Sequence, residues 1–247
     1  MIFTNPDLVV YICKYLTLSD IDRFQLVNKD IAAILINNKA WIMQDANHTV
    51  IQPHGLIITK NKRQIYYVEG KKHRGGDLPA VIDVDGSCEW WQNDEPHRDN
   101  DLPAVIWGSG DKFWWQHSEQ HRDGDLPAVI RVNGNQEWWY HNRRHRDNNL
   151  PALILINGDK YWYQNNRLHR DNDLPTIVRA NGDQEWCQSS NGGGLHRDND
   201  LPALILINGD KYWYQNNRLH RDNNLPAVIY SDGYQEWYQN GVRMSNH

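Results

Sequence analysis

The sequence has few cysteines, no long apolar run and no excess of positive charge. Cys13, Cys88 and Cys187 are odd in number and scattered, which fits a reducing compartment better than a disulfide framework. No apolar run reaches the roughly 18 residues of a membrane span, and no basic-then-apolar signal peptide opens the chain. Acidic side chains outnumber basic ones, 31 to 26, which argues against nucleic-acid binding. We therefore expect a cytoplasmic protein with no transmembrane segment.

Phenylalanine and methionine are scarce as well, with 3 of each, whereas the chain has 12 Trp and 12 Tyr. This bias belongs to a repeat, because all the tryptophans except Trp41 lie in copies of one 24-residue unit. One spacing is longer by three residues, around Gly192-Gly193-Gly194, and Leu150–Asn172 is identical to Leu201–Asn223. A fixed period of this length is the mark of a repeat architecture. The copies begin at His73, His97, His121, His145, His169, His196 and His220.

Each copy is predicted to form a β-hairpin with two strands. The apolar, β-branched run 151–156 precedes Asn157-Gly158, a dipeptide typical of a two-residue type I′ turn, and 161–164 is a second β-prone run. With such a turn, Ile154 would face Tyr161, while Leu153 and Trp162 would share the other side. The remaining residues of the unit, 165–175, are predicted to be a return loop.

The fold expected from this pattern is mainly β: an elongated single-sheet array of β-hairpin repeats with a small N-terminal three-helix head. Apolar residues recur at helical spacing after Asn5-Pro6-Asp7, and Thr17-Leu18-Ser19-Asp20 supplies a second helix cap. We divide the chain into a helical head (1–48), a degenerate capping repeat (49–72), seven repeats (73–244) and a tail (245–247). The head is either a docking module or only a cap on the edge of the sheet.

The head resembles an F-box. The resemblance rests on Pro6-Asp7-Leu8, Tyr15-Leu16, Leu18-Ser19-Asp20-Ile21, Leu26-Val27-Asn28-Lys29 and Trp41. It implies three helices that dock on the Skp-type adaptor of an SCF ubiquitin ligase. The residues expected to bind the adaptor are Pro6, Leu8, Leu16, Leu26 and Val27.

The repeats resemble the MORN variant with a His-Arg-x-x-x-x-Pro-Ala loop that occurs in proteins of phages and giant DNA viruses. The resemblance covers His73–Val242. It implies a MORN-like solenoid of stacked hairpins that serves protein contacts, membrane-lipid attachment or self-assembly. If the protein is viral, capsid or other virion proteins are candidate partners, and the host cytoplasm or the virion is its location.

One tryptophan per hairpin recurs along the array and is the candidate recognition feature. The row can be structural, a set of cross-strand partners for the aliphatic strand, or it can line a groove for a partner. Its members are Trp90, Trp114, Trp138, Trp162, Trp186, Trp213 and Trp237.

We expect no catalytic site, cofactor or metal. His-Arg-Asp, as at 145–147, mimics a kinase catalytic loop, but it recurs in the repeats and no Gly-rich nucleotide loop accompanies it. One histidine per repeat, roughly 10 Å from the next for two strands at ~4.8 Å, cannot form a coordination sphere. Arg146 and Asp147 are expected to pair with each other, which would leave His145 without a carboxylate.

These observations favour a non-enzymatic protein-interaction scaffold, with an adaptor-binding head and a recognition surface on the repeats. Two alternatives stay open. The chain could be a structural component of a large DNA virus particle, which predicts self-association. It could also be an aromatic-row array that binds small ligands, which predicts several saturable sites.

Overall fold

A computed structural model describes residues 43–44, 50–51, 55–59, 61–188 and 193–245. Apart from the strand Met43–Gln44, which pairs with Val50–Ile51, the predicted head lies outside the described residues, and so do all five of its candidate adaptor-binding residues. The chain divides into two compact units, Met1–Glu119 and Gln120–His247, and each is described by itself.

The first unit begins its main sheet with longer strands than those of the repeats. Gly55–Ile58 pairs antiparallel with Gln64–Val68, with Leu56 opposite Tyr66. Gln64–Val68 then pairs with Lys71–Lys72 and with the first strand of the next repeat. These strands lie within the region predicted to be a degenerate repeat.

Each following repeat contains four two-residue strands instead of the predicted two. The first strands are Val81–Ile82, Val105–Ile106, Val129–Ile130, Leu153–Ile154, Ile177–Val178, Leu204–Ile205 and Val228–Ile229. The second strands are Cys88–Glu89, Lys112–Phe113, Gln136–Glu137, Lys160–Tyr161, Gln184–Glu185, Lys211–Tyr212 and Gln235–Glu236. The third strands are Trp91–Gln92, Trp115–Gln116, Trp139–Tyr140, Tyr163–Gln164, Cys187–Gln188, Tyr214–Gln215 and Tyr238–Gln239. The fourth strands are Glu95–Pro96, Glu119–Gln120, Arg143–Arg144, Arg167–Leu168, Gly194–Leu195, Arg218–Leu219 and Val242–Arg243.

The hairpin between the first and second strands turns through three residues, so the predicted two-residue type I′ turn is wrong. The amide of Leu155 donates to the Asp159 carbonyl, and the Gly158 amide donates to the Leu155 carbonyl. Only Gly158 in this loop has a positive φ, of 96°. This is a type I turn followed by a glycine bulge. Because the extra residue shifts the pairing by one, Leu153 lies opposite Tyr161, where Ile154 was expected.

The type I′ turn exists in the segment that was predicted to be a return loop. Asn165 and Asn166 have φ of 50° and 66°, and they connect a second hairpin in which Tyr163 lies opposite Leu168. Asn148 and Asn149 adopt the same backbone, with φ of 58° and 56°, in a turn closed by the Leu150 amide. Asparagine tolerates this left-handed conformation better than other residues with a Cβ. The abundant Asn and Asp of the repeat therefore serve two turns.

Within each unit, first and second strands alternate in an antiparallel sheet. In the second unit, Gln136–Glu137 pairs both with Val129–Ile130 of its own repeat and with Leu153–Ile154 of the next. The prediction of a mainly β protein made of repeated antiparallel hairpins is confirmed. The most buried apolar side chains also repeat, namely Ala80, Val81, Ala104, Ala128, Val129, Ala152, Ala203, Ala227 and Val228.

No helix long and apolar enough to cross a membrane occurs among the residues that the structure describes.

Candidate functional site

The five inner members of the tryptophan row lie inside the repeats. Five of its side chains are only 6–7% exposed, and the first and last members of the row are half-buried. Burial at these five positions favours the structural alternative for the row. The five buried members are Trp114, Trp138, Trp162, Trp186 and Trp213.

Each indole N–H closes a loop of its own repeat. Trp162 Nε1 donates to the carbonyl of Asn149 at 2.8 Å, and Trp138 Nε1 donates to the carbonyl of Asp125 at 3.0 Å. The acceptor is in each case the second residue of the left-handed turn, 13 residues earlier. A buried indole N–H needs such an acceptor. The backbone joins neighbouring repeats as well, since the Trp162 amide donates to the carbonyl of Thr176.

An arginine of the following repeat covers four of these five rings. Arg146 places its guanidinium carbon 3.9 Å from the centre of the Trp138 ring and donates from Nη1 to the Pro151 carbonyl at 3.2 Å. It also forms a bidentate pair with Asp125, with Nε–Oδ1 at 2.7 Å and Nη2–Oδ2 at 3.0 Å. Arginine suits this position because its planar guanidinium can stack on an indole ring and pair with a carboxylate at the same time. We call this three-way contact the arginine staple.

The staple recurs with the same geometry along both units. The guanidinium carbon lies 3.8–3.9 Å from the ring centre in the pairs Arg98–Trp90, Arg170–Trp162, Arg197–Trp186 and Arg221–Trp213. In three of these the anion is an aspartate of the preceding repeat, as in Arg221–Asp200. The exception is Arg170, whose Nε donates to the side-chain oxygen of Asn149 at 2.9 Å. The staple thus accepts either a carboxylate or an amide.

The expected pairing of Arg146 with Asp147 is wrong. Asp147 instead accepts from Nε2 of His145 at 3.0 Å, within the same loop. The Nδ1 atom of His145 accepts the amide of Asn165, in the second hairpin turn of the same repeat, at 3.3 Å. These two bonds assign the neutral Nε2–H tautomer, in which the ring links a carboxylate to a neighbouring turn. His97, His196 and His220 make the same pair of bonds, and each of these four histidines therefore ties the first loop of its repeat to the second hairpin turn of that repeat. We call these four side chains the histidine ladder.

The acidic members of both connections are stabilised as carboxylates. The hydrogen bonds from Arg146 hold the pKa of Asp125 below its ordinary value, and Arg221 does the same to Asp200. The hydrogen bond from the neighbouring histidine lowers the pKa of four more aspartates. They are Asp99, Asp171, Asp198 and Asp222.

A different set of side chains remains at the surface. One leucine per repeat follows the left-handed turn of the His-Arg-Asp loop, and each is 37–47% exposed. We call these side chains the leucine row. Its members are Leu78, Leu102, Leu126, Leu150, Leu174, Leu201 and Leu225. Sequence reasoning treated these leucines as loop residues, although their constant place before proline marks them as part of the repeat.

No group of three or more His, Cys, Asp or Glu side chains that could hold a metal ion occurs within the described ranges. The repeated polar residues bond to neighbouring repeats, so the arrangement is one of mutual structural support. A scan against protein-family models found no match, and a search of curated proteins found none either.

Proposed function

We propose that the chain is a non-enzymatic protein-interaction scaffold whose second unit presents its members of the leucine row as a recognition surface, namely Leu126, Leu150, Leu174, Leu201 and Leu225. The observation that supports this proposal is the exposure of all seven leucines of the row. By contrast, the alanine two residues after most of these leucines is fully buried. An apolar side chain left in water at every repeat adds little to folding. A regular apolar row with a polar rim is typical of a protein-binding surface.

The rim of the row indicates the chemistry of the partner. The amide of Leu150 closes the turn that begins at Asp147, whose side chain is 82% exposed. The equivalent Asp123 is 79% exposed. An exposed carboxylate therefore accompanies the leucine in each of these turns. A partner that offers apolar side chains flanked by Lys or Arg would complement this surface.

The staple and the histidine ladder support a role without catalysis. Arg146 and His145 have their hydrogen-bonding groups engaged within the array. A catalytic group must instead be able to reach a substrate. The repetition of the same bonds from loop to loop favours a structural use of these residues.

Photo-crosslinking tests the leucine row directly. A photoreactive phenylalanine analogue would replace Leu150 in the full chain, and the matched control would carry it at the exposed Arg167 of the same unit. We expect a protein crosslink from position 150 that is weak from position 167. Changing Leu126, Leu150 and Leu174 together to serine should remove the partner without lowering the melting temperature by more than a few degrees.

Equal crosslinking at positions 150 and 167, or unchanged partner binding by the triple serine variant, would contradict the proposal. A crosslink to a second copy of the chain, together with concentration-dependent assembly, would favour the structural component of a virus particle instead.

The proposal includes docking of the F-box-like head on a Skp-type adaptor, which the sequence resemblance supports. Purified adaptor should bind the full chain, and replacing Leu26 and Val27 by aspartate should abolish binding, because docking of helices relies on a few apolar anchors. The triple serine variant of the leucine row is the control and should bind the adaptor normally. If the adaptor does not bind the unmodified chain, the head is only a cap on the edge of the sheet.

A further inference from the structure

The last tryptophan of the row lacks the cover that the preceding ones have. Trp237 is half-buried, and among the described residues no guanidinium lies over its ring. A cavity of about 370 Å³ opens beside the ring, and Asn224, Leu225 and Met244 contribute to its wall. In the preceding repeat the equivalent space beside Trp213 is filled by Arg221, at 3.9 Å from the ring centre.

A sequence change explains the opening. The amide of Met244 donates to the Trp237 carbonyl at 2.9 Å, as the amide of His220 donates to the Trp213 carbonyl at 3.0 Å. The backbone therefore still follows the path of the repeat at this point. Met244 and Ser245 stand where the other copies have His and Arg. Because serine is too short to reach across the indole, the ring stays open.

Two elements of the staple other than the arginine are nevertheless present. Trp237 Nε1 donates to the carbonyl of Asn224 at 3.1 Å, the bond that every other member of the row makes. The side chain of Asn224 occupies the position of Asp200 and has no hydrogen-bond partner within the described part of the chain. An asparagine side chain can accept an arginine N–H at this position, because Oδ1 of Asn149 accepts from Nε of Arg170 at 2.9 Å.

We propose that the cleft over Trp237 is a binding site for an arginine side chain supplied by another protein. Earlier copies of the cleft in the same chain each hold a guanidinium in one geometry, stacked on indole and hydrogen-bonded to a side-chain oxygen. The copy at Trp237 keeps the indole and the side-chain oxygen, and Ser245 stands in place of the arginine. This site shares Leu225 with the leucine row, but binding of an arginine here does not depend on the proposed use of that row.

Indole ¹⁵N–H spectra of the full chain provide the test, with acetyl-Gly-Arg-Gly-amide as the probe. We expect a saturable shift of the Trp237 signal, which is assigned by its loss in Trp237→Phe. The signal of Trp213, already covered by Arg221, is the internal control and should not move. Peptides with lysine or with neutral citrulline in place of arginine should bind about tenfold more weakly or not at all, because neither offers a charged planar fork.

Two variants make the test decisive without disturbing the fold. Ser245→Arg supplies the missing guanidinium within the chain and should abolish binding of the probe. Asn224→Asp restores the carboxylate of the other staples and should tighten binding about tenfold, because a bidentate charged pair replaces one bond to an amide.

A Trp237 signal that does not respond, that responds equally to citrulline, or that still responds in Ser245→Arg would overturn the proposal. Concentration-dependent dimerisation that Ser245→Arg abolishes would identify a second copy as the occupant, against the assignment to another protein.

Discussion

Removing one arginine staple should loosen the array at a single boundary between repeats. The side chain of Arg146 is 14% exposed, so its stacking on Trp138 should contribute about 1–2 kcal/mol. Asp125 is 48% exposed, and water therefore reduces the ion pair to about 0.5–1 kcal/mol. The hydrogen bond to the Pro151 carbonyl adds about 1 kcal/mol. We expect Arg146→Ala to cost about 3 kcal/mol.

The control is Arg167→Ala in the same repeat, which removes the same charge from an exposed side chain. It should cost less than about 0.5 kcal/mol. Because repeat arrays can open locally, native-state hydrogen exchange is a better assay than a single melting temperature. In Arg146→Ala, the amides of Trp138 and Leu150 should lose protection first. Equal losses in the two variants, or losses spread evenly over all repeats, would refute the staple as the connection.

Three further predictions concern the turns, the indoles and pH. Gly158→Val should destabilise the protein by more than about 1 kcal/mol in thermal melts, and by more than Gly233→Val. Both glycines have a positive φ, but of the two only Gly158 would place a Cβ against a neighbour, Ala180 at 3.2 Å. Equal losses in the two variants would contradict this prediction. Trp162→Phe keeps an aromatic ring but leaves the Asn149 carbonyl without its hydrogen-bond donor. Denaturant titration should show a loss of about 1–3 kcal/mol in the free energy of unfolding. An unchanged free energy would contradict a stabilising role for the indole hydrogen bond. The stapled and histidine-bonded aspartates have lowered pKa values in the folded chain, so the unfolded chain binds more protons at low pH. Their contribution to stability should therefore be lost as pH drops below about 4. Melts that stay flat from pH 5 to pH 2.5 would contradict this sign.

The period and the residue types of the repeat predicted a β-hairpin array, but they did not predict its connections. Alternation of apolar and aromatic runs around Asn157-Gly158 is a local signal, and the structure has a turn there. The one-residue error in pairing arose because the same dipeptide suits a two-residue turn and a three-residue turn with a glycine bulge. The second hairpin was missed because two-residue strands joined by Asn165-Asn166 carry no periodic pattern.

The sequence by itself determined the class of fold, the length of the repeat and the turn at Asn157-Gly158. Those properties depend on backbone preferences of Gly, Asn, Pro and the β-branched residues, which act within a few residues of chain. Only the tertiary structure decided that Arg146 binds Asp125 and not the adjacent Asp147. Stacking of the repeats places two loops side by side that are 21 residues apart in the chain. The carboxylate of Asp125 therefore reaches the guanidinium of Arg146, which the adjacent Asp147 does not bind. The same stacking buries Trp138 beneath that arginine, and it leaves Trp237 uncovered where the arginine is replaced by Ser245.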